Sequence, residues 1–336
     1  MKPDLVNTSE EYHLNRIRTA VINSVRRRLD SDRPMAFLNS GGVDSSLVVG
    51  IASKILGQPI KTFCCGMKGG TDLFYARMVA EHVKSNHTEV YFTAEDGINV
   101  LEDVIYATET WDTTTVRASV GQYLVCQHIG EKTDCRVVFV GEGPDEVCSS
   151  YMFNWYAPNG DELDKCAKDQ VKELHIYDCK RSDRCISYHG LEGRVPLLDP
   201  EVIEAYWSLP AEWRMPKYKG IEKWWLRKAF DGYNILPDEI LWRKKEAFSD
   251  GVSSKEKSWY TIIQDRCQDL ITDEDMNNNK APSKEACYFK KKFIEKFGIN
   301  RLSIIPKYWL PRWNSDGKRV EEYMDPSARV LKVYNN

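Results

Sequence analysis

Seven consecutive residues, Ser40-Gly41-Gly42-Val43-Asp44-Ser45-Ser46, combine two glycines, three hydroxyls and a carboxylate. Successive glycines allow a tight turn whose backbone N–H groups face one concavity, and such a nest binds anions. The positive end of a following helix adds to it. Ser40, Ser45 and Ser46 supply further donors. Asp44 cannot favour a phosphate directly, but it suits Mg²⁺ already carried by a nucleotide. No Lys follows the glycines, so this is not the GxxxxGK[ST] loop of kinases and GTPases. The plain alternative is a Gly-rich turn with a Ser/Asp helix cap. A second Gly-containing turn, Gly141-Glu142-Gly143-Pro144-Asp145-Glu146, brings three acids within five residues.

The elements around these turns alternate. Arg33–Asn39, Ile60–Cys65, Thr88–Phe92 and Arg136–Val140 are short apolar or β-branched runs that predict strands. His13–Leu29, Leu47–Leu56, Asp72–Lys84, Asp96–Glu109 and Val120–Ile129 carry apolar residues at helical spacing. Strands alternating with helices predict a parallel sheet wound with helices on both faces, and ligands in such sheets bind at the carboxyl ends of the strands. Both Gly-containing turns follow strands directly, so they are expected to meet on one edge. After Tyr151 the alternation fades. Glu162–Cys185, Pro200–Leu209 and Lys223–Phe230 predict helices, and the polar run Asp273–Ser283 predicts a mobile loop. The expected organisation is an α/β core over residues 1–155 and a mainly helical part over 156–336, forming one continuous unit.

Hydrophobic residues make up 42% and charged residues 29% of the 336, as in an ordinary globular chain. A net charge of −3 gives no basic face for coating nucleic acid. No stretch approaches the roughly 20 apolar residues of a bilayer span. Met1–Glu11 is polar and acidic, unlike a signal peptide, so a cytoplasmic location is expected. The ten cysteines form no CxxC pair and are expected to be reduced, buried, small hydrophobes.

Ser40–Ser46 resembles the pyrophosphate loop (PP-loop) of the N-type ATP pyrophosphatases, which split ATP between the α- and β-phosphates. Further segments narrow the resemblance. Ile105–Ser119 (IYATETWDTTTVRAS), Gly141–Glu146, Tyr177-Asp178-Cys179-Lys180-Arg181, Glu192–Asp199 (EGRVPLLD), Trp242–Gly251 (WRKKEAFSDG), Pro306–Pro311 and Asp325–Arg329 (DPSAR) occur in order along the chain. Together they resemble the synthetase domain of glutamine-dependent asparagine synthetase. That resemblance implies an adenine-nucleotide-hydrolase-like doubly wound fold with a helical C-terminal extension. It also implies ATP and Mg²⁺ as cofactors, and aspartate and ammonia as substrates joined through β-aspartyl-AMP.

The resemblance also implies roles. Asp44 and Asp145 become metal ligands, and Lys245 the cation on the transferring phosphorus. Thr114 and Arg117 serve aspartate activation, a guanidinium suiting a carboxylate or phosphate. Without the motif, Arg117 would read as a structural ion-pair partner. Glu142 becomes the general base or ammonium-binding group, and Glu146 orients the substrate amine. Leu38, Cys65, Gly141 and Gly143 join the loop residues at the nucleotide. None of the six histidines is needed, His175 and His189 included.

Two departures stand out. Lys2 replaces the exposed Cys of the family's glutaminase domain, and the first loop already starts at Ser40. The chain is therefore expected not to release ammonia from glutamine itself. It would use free ammonia or a separate glutaminase subunit, or be a trimmed chain; a homo-oligomer stays open. Val140, Pro144 and Cys148-Ser149-Ser150 replace the family's usual residues around the second loop, and Pro144 removes a backbone donor. Competing readings are a diverged ligase of the β-lactam synthetase or lasso-peptide cyclase kind, a tRNA-modifying enzyme, and an inactive ATP-binding regulator.

Overall fold

Five short strands form one parallel sheet: Met35–Leu38 (β1), Lys61–Gly66 (β2), Asn86–Tyr91 (β3), Val137–Phe139 (β4) and Glu192–Arg194 (β5). The computed structural model describes residues 9–245, 252–253, 257–327 and 331–332. Residues 246–251 and 328–329, which carry parts of two predicted motifs, lie outside the described residues. The strand order is β3-β2-β1-β4-β5, all neighbours parallel.

Alternation along the strands sorts side chains onto two faces. Phe37, Val137 and Phe139 join a core with Leu47, Val48 and Ile51 of Val43–Leu56 (α2), with Ile17 and Val21 of Glu10–Arg28 (α1), and with Val79 of Thr71–Val83 (α3). Ala36, Phe63, Cys65 and Val138 join the opposite core with Val125, Cys126 and Ile129 of Thr113–Lys132, and with Ile186. Burial of these two layers is the main driving force for the sheet. The four predicted strands and the doubly wound α/β class are present. Among the described residues no helix is long and apolar enough to cross a membrane. All ten cysteines are free, and all but Cys179 are buried.

Four expectations need correction. The segment Asp96–Glu109 is two helices, Ala94–Asn99 (α4) and Leu101–Thr108 (α5), divided at Val100. Helix Thr113–Lys132 (α6) starts seven residues before the predicted Val120, because the Asp112 carboxylate caps it by accepting the Thr115 N–H (2.9 Å). Asp273–Asn279, expected in a mobile loop, is helical; Thr272 and Asp275 form a reciprocal capping box, and Lys291 pairs with Asp275 at 2.6 Å. The stretch Glu162–Cys185 is two helices, Gly160–Glu173 and Asp178–Ser187, divided at residues 174–177.

The order β2-β1-β4 means that the chain winds outward in opposite directions from β1 and β4. This is the topological switch point, where a crevice opens at the carboxyl ends of the two strands. Both Gly-containing turns leave the sheet there.

Candidate active site

The first turn runs from β1 into the start of α2. Gly41 adopts φ +72°, and a Cβ there would stand 2.4 Å from the Tyr75 Cβ, so no other residue fits. Ser45 Oγ accepts from the Ser40 N–H (3.2 Å) and lies 3.1 Å from the Ser40 hydroxyl, closing the loop on itself. Gly42 is the N-cap and has no side chain to satisfy the first-turn N–H groups. The helix start is thus an open anion receptor.

The second turn leaves β4 and packs against the first. A Cβ on Gly141 would lie 2.5 Å from the Ser45 N, so this glycine lets the two loops touch. A third wall comes from the segment Arg243–Lys245. Arg243 donates to the Gly41 carbonyl (3.1 Å), stacks over the Tyr75 ring (3.9 Å) and pairs with Asp72 (3.4 Å). It fastens the lysine-bearing segment to the glycine turn.

One cleft is lined by Leu38, Ser40, Gly42, Asp44, Ser45, Cys65, Gly141, Glu142, Asp145 and Lys245, ten of the residues singled out in the sequence. Lys223, Arg181, Gln122 and Arg243 line it as well. Sequence patterning had no signal for Lys223 or Gln122. Arg181 and Arg243 lay inside quoted motifs but without roles.

The floor carries a compact charge cluster. Lys223 is almost wholly buried and adopts a left-handed backbone (φ +58°) at the cap of helix Trp224–Phe230. Its ammonium donates to Asp145 Oδ1 (2.6 Å) and to Asp44 Oδ2. Lys245 Nζ lies 2.5 Å from the same Asp145 oxygen, an ion pair without a well-directed hydrogen bond, and 4.8 Å from the centre of the Tyr151 ring. The Ser150 hydroxyl donates to Asp145 Oδ1 as well (2.6 Å). Burial opposes ionisation of Asp145, but the Lys223 and Lys245 ammoniums overcome it and hold the carboxyl well below its usual range. Burial pushes the Asp44 carboxyl up, with Lys223 pulling against it. Asp44 Oδ1 is buried and accepts no hydrogen bond.

Deeper in the cleft, Glu142 accepts from Arg181 Nη1 (3.2 Å) and Gln122 Nε2 (3.4 Å). Gln122 Nε2 also donates to the Ser182 hydroxyl (3.0 Å), which fixes the amide. Burial raises the Glu142 carboxyl, and Arg181 opposes that rise. Glu146 is buried on another side. The Tyr151 hydroxyl contacts both Glu146 Oε1 (2.5 Å) and Asp178 Oδ2 (2.7 Å). Burial and the Asp178 charge push Glu146 far up.

The remaining predicted residues stand elsewhere. Gly41 faces Tyr75, Gly143 packs on Leu198, and Ser46 is fully buried with its hydroxyl unpartnered. Glu146 borders a separate small cavity with Asp178 and Trp309. Thr114 is half-buried in the first turn of α6, and its hydroxyl has no partner. Arg117 is buried and held on two sides. It donates from Nε to Glu285 Oε1 (2.6 Å), and from Nη1 and Nη2 to the two Asp325 oxygens (3.0 and 2.9 Å). The structural ion-pair reading of Arg117 describes its contacts here, because two carboxylates already fill its fork.

The cleft suits a polyphosphate with a hard divalent cation. It offers an uncapped helix start, two ammoniums and two carboxylates, one oxygen of which is buried without a hydrogen bond. Among the described residues no group of three or more His, Cys, Asp or Glu could hold a metal alone. A cation there would therefore share its shell with phosphate oxygens, as Mg²⁺ does in nucleotide sites.

The sequence model of the family described as asparagine synthase matches residues 16–165 and 154–316. Glutamine-hydrolysing asparagine synthetase from Gallus gallus is 45% identical over 332 residues, covering 95% of this chain and 58% of that protein. The enzymes of the same name from Bos taurus (43% identical, 93% of this chain, 56% of that protein) and Homo sapiens (41%, 96% and 58%) are similarly close. The chain thus spans little more than half the length of these relatives. With a family match running from α1 past residue 300 and through both loops of the cleft, this chain belongs to the asparagine synthase family.

Proposed function

We propose that the chain is the synthetase part of an asparagine synthetase, an ATP-dependent amide ligase. It activates the side-chain carboxylate of aspartate as β-aspartyl-AMP with release of pyrophosphate, and ammonia then attacks the acyl carbon, gives up a proton and displaces AMP to leave asparagine. The observation that supports it most is one cleft at the switch point. There an uncapped helix start, the acids of the second loop and two lysines face each other.

In this reading the N–H groups at the start of α2, with Ser40 and Ser45, receive the phosphates. Lys245 and Lys223 stabilise negative charge as it builds on the leaving group. Asp44 and Asp145 would hold Mg²⁺, which would neutralise phosphate charge as a Lewis acid. Leu38, Cys65 and Gly141 line the nucleoside end. Glu142 accepts the proton that the incoming nitrogen loses, and Arg181 keeps its carboxylate oriented. Thr114, through its unpartnered buried hydroxyl, and Glu146 serve the aspartate side. The nitrogen arrives as ammonia, free or from a glutaminase unit.

The test is pyrophosphate release from ATP with aspartate, with ammonium or glutamine as nitrogen source, and identification of the product by mass spectrometry. Aspartate-dependent pyrophosphate and asparagine are expected with ammonium. Pyrophosphate that forms equally without aspartate would sink the substrate assignment and favour a ligase of the β-lactam synthetase kind.

A further inference from the structure

Two acids, one from each loop of the cleft, share a single buried ammonium. Lys223 bridges Asp44 of the first turn and Asp145 of the second, and Lys245 approaches the same Asp145 oxygen. Counting charges, two carboxylates and two ammoniums sum to zero. The cluster is self-neutralising, and its members are only 3% (Lys223), 11% (Lys245), 20% (Asp44) and 32% (Asp145) exposed. Of the other charged groups lining the cleft, Arg243 pairs with Asp72, Arg227 with Glu222, and Arg181 with Glu142 and Asp178, while Lys244 is exposed to solvent.

We infer that Lys223 is a built-in competitor of the divalent cation for the Asp44–Asp145 pair, so that metal is taken up only together with an anionic phosphate ligand. The inference rests on the reading of this cleft as a metal–nucleotide site. The physical reason is the balance of buried charge. A dication added to a neutral cluster leaves two uncompensated positive charges in a poorly solvated place, which is strongly unfavourable. An incoming polyphosphate removes that excess, because it supplies the anions that the two lysines lose. The acids and the lysines thereby exchange partners in one concerted association. The backbone of Lys223 fits a positioning role: a left-handed, non-glycine cap is a strained placement, held here by the two ion pairs and by Arg227 N–H donating to the Lys223 carbonyl (3.0 Å).

Mn²⁺ binding followed by electron paramagnetic resonance, with no nucleotide or aspartate present, tests this directly. Wild type is expected to bind Mn²⁺ weakly. Lys223→Gln, which leaves the acids in excess, should bind at least about tenfold tighter and should melt at a higher temperature when Mn²⁺ is added. Lys223→Arg keeps the charge and should behave as wild type. Should Lys223→Gln fail to fold, Lys245→Gln removes the other ammonium from Asp145 at a more accessible position and should show the same gain. The idea is overturned if wild type binds Mn²⁺ as tightly as the folded Gln variants, or if those variants gain nothing. Neither readout involves asparagine formation, so a wrong product assignment would leave this result standing.

Discussion

A carboxylate that is to take up a proton inside a protein needs a reason to stay ionised. In the proposed reaction Glu142 finds that reason in Arg181. Burial and the Asp178 charge raise the Glu142 carboxyl, while Arg181 works against both. Cys126, Cys179 and Cys185 also interact with Glu142, and burial pushes all three thiols up. Replacing Arg181 by Gln removes the opposing charge, so Glu142 should titrate higher still. The ionised form then appears only at higher pH. If the proposed reaction is right, the acidic limb of kcat/KM for ammonia is expected to move upward, with Arg181→Lys restoring part of the shift. A limb that stays in place would show that Arg181 has no hold on Glu142. The residues of this site differed in how visible they were. Ser40–Ser46 announced itself because glycine spacing and hydroxyls are local signals. Lys223 gave none, because its meaning lies in two carboxylates 179 and 78 positions away along the chain.

At the level of elements, the helices were legible wherever apolar residues recur at helical spacing, and the boundaries were set by caps. Asp112 is the clearest case. It caps α6, accepts the Trp309 N–H at 2.7 Å, and is pushed by burial up to about 6. Asp112→Ala should cost about 1–3 kcal/mol in urea unfolding, from one lost cap and a stranded Trp309 donor. Asp112→Asn keeps much of the cap and removes a desolvated charge. A carboxyl whose folded pKa is raised stabilises the fold in full below its unfolded value, and that contribution is lost as pH rises through the folded value of about 6. The stability difference between wild type and Asp112→Asn is therefore expected to change between about pH 4 and 6 and to be flat above. The fifth strand was illegible for a different reason. Glu192-Gly193-Arg194 has no β-forming residue, is largely exposed, and pairs only because β4 offers it an edge. The helix Asp273–Asn279 was hidden behind a composition that is polar apart from Met276, and its capping box was the signal that could have found it.

Across the whole molecule, the buried ionic triad of Arg117 ties distant pieces together. Glu285 is 168 residues away along the chain and Asp325 is 208, and Gln264 also donates to Asp325 (2.8 Å). Removing Glu285 as Ala leaves a buried guanidinium with half its partners. A loss of about 3 kcal/mol is expected in urea unfolding, with an unchanged m-value. A loss below about 0.5 kcal/mol would mean the triad is dispensable. The sheet order carries a consequence for how the chain is made. β1 pairs on one side with β2, close in sequence, and on the other with β4, where Met35 meets Val137, a separation of 102 residues (137 − 35). On a ribosome, the glycine turn and its helix emerge before β4, and the opposite flank of β1 stays bare until Phe139 has been synthesised. For that interval a hydrophobic strand edge is available to any other strand it meets. Non-local parallel pairing of this kind is slow to nucleate, so the hazard lasts into folding itself. The same arrangement that creates the crevice leaves one flank of β1 unpaired for about a hundred residues of synthesis.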